Sequence, residues 1–258
     1  MNNILIIPNP YVENVDNVIS EVTSNLAPLK WEIFPFPLKK REMYQKLEEM
    51  LPNFDLVITL GGDGSMLKIV ELIYKYDVSL LGINYGGVGY LTSLKKDELS
   101  KLKRLNNGEY YIDQRGLLDV SIKDKDYHHV CLNDVVIFKS NINIPIKLKV
   151  VSGDAKEYFA DGIIISTATG STAYSYSAGS PIIEEGKIIL TPICPVSRSS
   201  SYSIYDDNVA FKITSIRDNR DRALVSVDGS DQIDIDKNDL IIVKKALKKL
   251  KIVRFNHD

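Results

Sequence analysis

Cysteine, histidine and tryptophan are scarce: two, three and one among 258 residues. Two cysteines, Cys131 and Cys194, make no disulfide framework, so a reducing compartment is expected. An excess of charge of either sign is missing as well. Thirty-two Lys and Arg stand against 34 Asp and Glu, a formal charge of −2. That excludes global attraction to nucleic acid or to an anionic membrane as the main function. No apolar run approaches the roughly 18 residues of a membrane span. Residues Met1 to Pro8 lack the basic start and the long apolar stretch of a secretory leader. These absences predict a cytoplasmic protein with neither a nucleic-acid nor a membrane partner. What is present is core material. Hydrophobic residues make up 44% and charged residues 26%, enough for one compact body or two lobes in contact.

The first hundred residues alternate between two hydrophobic periods. Short apolar runs at Ile4 to Ile7, Trp31 to Phe36, Leu56 to Leu60 and Leu80 to Ile83 read as strands. Between them, Tyr11 to Leu26, Met43 to Met50 and Leu67 to Tyr76 repeat at helical spacing, and Leu99 to Leu105 predicts a last helix closed by Asn107-Gly108. Strand alternating with helix predicts an open parallel sheet of Rossmann-like type, covered on both faces. After Gly108 short alternating runs and turn residues predict a β-rich lobe, with a helical insertion only near Ser171 to Ala178. The expected organisation is an α/β lobe over 1–108, a β-rich lobe over 109–235, and a tail, 236–258, returning to the first lobe.

One turn is especially informative. The strand ending at Leu60 runs into Gly61-Gly62-Asp63-Gly64-Ser65, and a helix follows. Glycines there allow positive φ and close approach of backbone N–H groups to a ligand, and a helix start suits phosphate. A carboxylate among phosphate-binding amides makes sense if Asp63 takes a proton from a hydroxyl while a phosphoryl group arrives. The bland alternative is a cap, with Asp63 or Ser65 closing the helix start. Neither G-x-x-x-x-G-K-[ST] nor G-x-G-x-x-G is present.

A second cluster follows the strand ending near Ile165: Ser166-Thr167-Ala168-Thr169-Gly170-Ser171-Thr172-Ala173-Tyr174-Ser175. Its hydroxyls suggest a polar ligand, and Tyr174 offers a face to a purine base. A hydroxyl-rich turn capping a short helix is the competing reading. Asn133-Asp134 interrupts the apolar run Val130 to Phe138, either as a bulge or as a reach toward a ligand. Asp228-Gly229 between apolar runs signals a hairpin. His128-His129-Val130-Cys131 puts only His129 and Cys131 on one strand face, too few ligands for zinc.

Together these segments resemble the NAD kinase family. The resemblance rests on Gly61-Gly62-Asp63-Gly64, on Gly82-Ile83-Asn84 with Gly86 through Thr92, on Leu132-Asn133-Asp134, on Asp161-Gly162 through Ser175, and on Thr191-Pro192-Ile193-Cys194-Pro195. The first motif alone is shared with diacylglycerol, sphingosine and phosphofructokinases; the block Gly170 to Tyr174 narrows it. The resemblance implies phosphoryl transfer from ATP or another donor, with Mg²⁺, to the 2′-hydroxyl of the adenosine ribose of NAD, giving NADP. It implies Asp63 as the base, and Gly61, Gly62, Gly64 and Ser65 at the donor phosphates. It further implies Asp63, Gly64, Asn133, Asp134, Asp161, Thr169, Thr172, Ala173, Tyr174, Ser177 and Asp228 around NAD. A homodimer or homotetramer is implied too. The sequence departs from the family where Asp134 replaces a usual Glu, Ala168 a usual Pro, Val88 a usual Leu and Ser180 a usual Gly. It departs again in the loop Val196 to Ser201.

Overall fold

The computed structural model describes residues 3–35, 41–197, 200–216, 223–230 and 232–256. Phe36 of the second expected strand, and Arg198 and Ser199 of the divergent loop, lie outside them. The chain forms two compact units, Met1–Gln114 with Leu250–Asp258, and Arg115–Lys249.

The first unit begins with β1 (Asn3–Pro8), α1 (Val15–Leu26), β2 (Lys30–Ile33) and α2 (Arg41–Met50). It continues with β3 (Leu56–Gly61), α3 (Asp63–Leu67), α4 (Val70–Tyr76) and β4 (Ser79–Asn84). Two strands follow, β5 (Leu94–Lys95) and β6 (Tyr111–Arg115). In the sheet, β2, β1, β3 and β4 lie side by side in parallel, and the final strand Leu250–Arg254 extends it beyond β4. All six residues of β3 are buried, which is why it reads as an unbroken apolar run. Ile4, Ile6, Ile58 and Leu60 pack with Val22 and Leu26 of α1 and with Leu102. Two expectations change here. The helix expected over Leu67 to Tyr76 is two short helices, α3 and α4, and Leu99–Asn107 winds as 3₁₀ turns. Apolar residues at three- or four-residue spacing fit either winding.

The second unit is a sandwich of two antiparallel sheets. Its strands are β7 (Leu118–Ile122), β8 (His128–Cys131), β9 (Asp134–Lys139), β10 (Ile146–Ser152), β11 (Asp154–Ala160) and β12 (Gly162–Thr167). After α5 (Tyr174–Ser177) come β13 (Lys187–Ile193), β14 (Ser203–Asp206), β15 (Phe211–Ser215), β16 (Ala223–Val227), β17 (Ile233–Ile235) and β18 (Ile241–Lys245). One sheet runs β11-β10-β15-β18-β7-β8, the other β14-β13-β12-β9-β16-β17. Alternate residues face inward, among them Val120, Leu148, Phe211 and Val243 from one sheet and Ile137, Ile165 and Val225 from the other. The expected tail is therefore divided. Ile241 and Val243 carry the inward alternation of the sandwich, so β18 pairs with β7 and β15, and only β19 (Leu250–Arg254) joins the first unit.

Two runs read as single strands are each broken at a polar residue. Val130 to Phe138 leaves one sheet as β8 and enters the other as β9 at Asn133-Asp134; Tyr158 to Ile165 does the same from β11 to β12 at Asp161. A chain turning from one sheet into the other takes its backbone groups out of both ladders there. Polar residues at such corners serve that need.

Candidate functional site

In the first unit the turn after β3 is built on close contacts rather than on unusual torsions. None of Gly61, Gly62 and Gly64 has positive φ, and Gly62 is extended at φ −98°. This corrects the torsional argument for these glycines. A Cβ on Gly61 would stand 2.3 Å from Ser65 Oγ, whereas one on Gly64 would meet nothing within 4 Å. Ser65 is buried and accepts a hydrogen bond from Asn9 Nδ2 at 3.0 Å. No side chain caps α3, so the capping alternative for Asp63 and Ser65 fails. Asp63, half-buried, instead accepts the backbone N–H groups of Tyr90 (2.8 Å), Leu91 (3.0 Å) and Thr92 (3.2 Å). A carboxylate has about four acceptor positions, so one remains for a ligand hydroxyl. Asn84 ties the same segment through Gly86 N–H and Gly87 C=O.

In the second unit the corner Leu132–Asp134 is held from two sides. Asp228, in the turn between β16 and β17, accepts the N–H groups of Leu132 (2.7 Å), Asn133 (2.7 Å) and Asp134 (3.2 Å). Positive φ at Asp228 (48°) and Gly229 (68°) gives the tight hairpin that the Asp-Gly pair signals. On the other side Thr167 Oγ1 donates to Leu132 O, and Ser166 Oγ and Thr167 N–H donate to Asn133 O. Ser171 bonds Ala168 O and Ile183 N–H; Ser175 bonds Ser180 and Thr191. Ser166, Thr167, Ser171 and Ser175 are thus buried and satisfied within the protein. These four hydroxyls act as scaffold, whereas Thr169 Oγ1 in the same block is buried without a hydrogen-bond partner among the described residues.

What these bonds frame is a pocket of about 470 Å³. Asn133, Asp134, Ala173, Tyr174 and Asp228, all expected at NAD, line it. Asp161, Thr169, Thr172 and Ser177 do not. Asp161 pairs with Lys139 at 2.6 Å, Thr172 bonds Thr169 O, and Ser177 is exposed. Val136 and Phe138 of β9, and Leu224 and Ser226 of β16, extend the wall. They escaped the sequence reading although the signal was present. Residues 134, 136 and 138 share one face of β9, and 224 and 226 one face of the paired β16 that runs into Asp228, so a site at Asp134 and Asp228 continues along both.

Asp134 is 6% exposed, and no hydrogen bond from the described residues reaches its carboxyl. Burial, and then the Asp228 carboxylate, pushes its pKa up to about 7. Burial also raises Asp228, to about 6, against the pull of its three N–H donors. The Tyr174 phenol is raised by burial, then by Cys194, Asp134 and Asp161. Its ring is 44% exposed at the pocket and can stack on a planar ligand. Among the described residues no three His, Cys, Asp or Glu side chains gather as a metal cage. No described helix is long and apolar enough to cross a membrane.

Comparison with known proteins places both units. Residues 4–110 match the ATP-NAD kinase N-terminal domain and residues 132–255 the ATP-NAD kinase C-terminal domain. The NAD kinase of Caldicellulosiruptor saccharolyticus is 41% identical over 204 residues, 78% of this chain and 76% of that protein. That of Wigglesworthia glossinidia brevipalpis is 39% identical over 79% of this chain and 71% of that one. Among solved structures, yeast NADH kinase complexed with NADH superposes with a TM-score of 0.83 at 24% identity, covering 99% of this chain and 84% of that one. An Archaeoglobus fulgidus NAD kinase in complex with ATP gives 0.75 at 23%, covering 99% and 94%.

Proposed function

The chain belongs to the NAD kinase family, and on that premise we propose that it transfers a phosphoryl group from ATP or another donor to the 2′-hydroxyl of the adenosine ribose of NAD, giving NADP. One observation carries the reading: a single pocket holds an exposed aromatic face, Tyr174, and a buried carboxyl that receives no hydrogen bond from the described residues, Asp134. A purine base supplies the partner for the first, and ribose hydroxyls supply donors for the second. Val136, Phe138 and Leu224 add apolar wall that a dinucleotide covers and a small sugar leaves wet.

The donor phosphates fit the turn Gly61 to Ser65, where Gly64 leaves open space at the backbone. Mg²⁺ fits best as part of the donor. It binds phosphate oxygens and water readily, and the described residues offer it no cage. In the transfer the 2′-oxygen bonds to the terminal phosphorus, the bridging P–O bond breaks, and the diphosphate leaves. Asp63 takes the hydroxyl proton through the acceptor position its backbone partners leave open. We further propose a homodimer or homotetramer and a cytoplasmic location for this chain.

The test is direct. Incubated with NAD, ATP and Mg²⁺, the protein forms NADP at a rate proportional to enzyme. Phosphate transfer to a diacylglycerol or a hexose, with NAD left unchanged, would overturn the reading.

A further inference from the structure

Two acids from positions 94 residues apart in the chain meet at one end of the acceptor pocket, and they are not equivalent. All the ties of the Asp228 carboxylate run to the backbone: it grips three successive N–H groups, and so fixes where the next side chain, Asp134, points. The Asp134 carboxyl has no donor among the described residues, is more than nine-tenths buried, and lines the pocket. We infer that Asp228 is a positioning residue that holds Asp134 in the pocket beside a like charge, and that NAD enters by replacing a proton on the buried Asp134 carboxyl with the hydrogen of one of its own hydroxyls. This rests on the NAD kinase reading of the same pocket.

Among the described residues no cation is among the causes that act on Asp134. Asp228 faces it from the β16–β17 turn, the buried Cys131 thiol from β8, and the Tyr174 phenol from α5. Lys139, the basic residue of β9, pairs with Asp161 at 2.6 Å. Without ligand, the pair relieves its repulsion by keeping a proton. A ligand hydroxyl donating to Asp134 makes a charge-assisted bond only with the ionised form, so binding drives the proton out. The sign follows. The raised acid is protonated below about pH 7, where ionisation opposes binding; above that pH it is already charged and binding releases nothing.

The experiment is titration calorimetry of the full chain with NAD, in buffers of different ionisation enthalpy, from pH 6 to 9. We expect about half a proton released per NAD near pH 7 and none at pH 9, with Kd rising about tenfold from pH 8 to pH 6. Asp134→Asn should abolish the release, and Asp134→Glu should restore it. Asp228→Asn should move the Kd step to lower pH, whereas a purely structural role would weaken binding equally at every pH. Asp134→Asn also removes the repulsion, so the ligand-free protein should melt at a higher temperature at pH 8. NAD binding with no proton release at pH 7 overturns this inference alone. No NAD binding at any pH overturns the functional reading and takes the inference with it.

Discussion

Asp63→Asn is expected to lower kcat by about 10²- to 10⁴-fold, the range for loss of a general base, with Kd for NAD changed less than about threefold. The structure adds a second effect that the base role alone would not bring. The carboxylate receives three backbone N–H groups from Tyr90, Leu91 and Thr92. An amide keeps one oxygen and turns an NH₂ toward donors, so at least one bond becomes a clash of like polarity. A stability loss of about 1–3 kcal/mol should accompany the kinetic one. Steady-state kinetics and thermal unfolding separate the two. Near-normal turnover with a lowered melting temperature would make Asp63 a tether for the 90–92 segment and remove it from the chemistry.

Gly170→Ala should cost about 3 kcal/mol or more and lower the melting temperature by roughly 6–12 °C. The added Cβ would stand 2.1 Å from the carbonyl oxygen of Asn133 and 2.5 Å from its Cα, both backbone. Asn133 O is also where Ser166 and Thr167 anchor the corner, so the chain must give way beside Asp134. NAD affinity should therefore fall along with stability. Gly64→Ala is the control. Nothing lies within 4 Å of its Cβ, so stability should hold within about 0.5 kcal/mol. Any loss of ATP-dependent rate in that variant then reports a donor occupying the open space. Wild-type stability in Gly170→Ala would mean that the corner is not packed as described.

Local pattern made the elements legible but not their partners. The apolar run Leu56 to Leu60 and its glycine stop located β3 and the loop after it, because a strand buried on both faces can be read from its own residues. Val130 to Phe138 could be read as strand but not as two strands of different sheets, since period-two alternation is the same in either. The polar pair Asn133-Asp134 was the only mark of that corner. Its meaning depends on Asp228, more than ninety residues away, which no local window contains. The hydroxyls from Ser166 to Ser175 do not declare their role for a related reason. Hydroxyls that bind a ligand and hydroxyls that hold a backbone corner look alike until their partners are placed. Tyr174, Ala173, Asp134 and Asn133 line one pocket. Val136, Phe138 and Leu224 became visible as its wall only once β9 and β16 were paired.

The account turns on which oxygen receives the phosphate, and 2′-deoxy-NAD asks that question most directly. With γ-labelled ATP and Mg²⁺, the protein should transfer label to NAD and none to the 2′-deoxy analogue, although the analogue should still compete for the pocket. Label on the 2′-deoxy analogue at a rate comparable to NAD would place the chemistry at another hydroxyl and contradict the account.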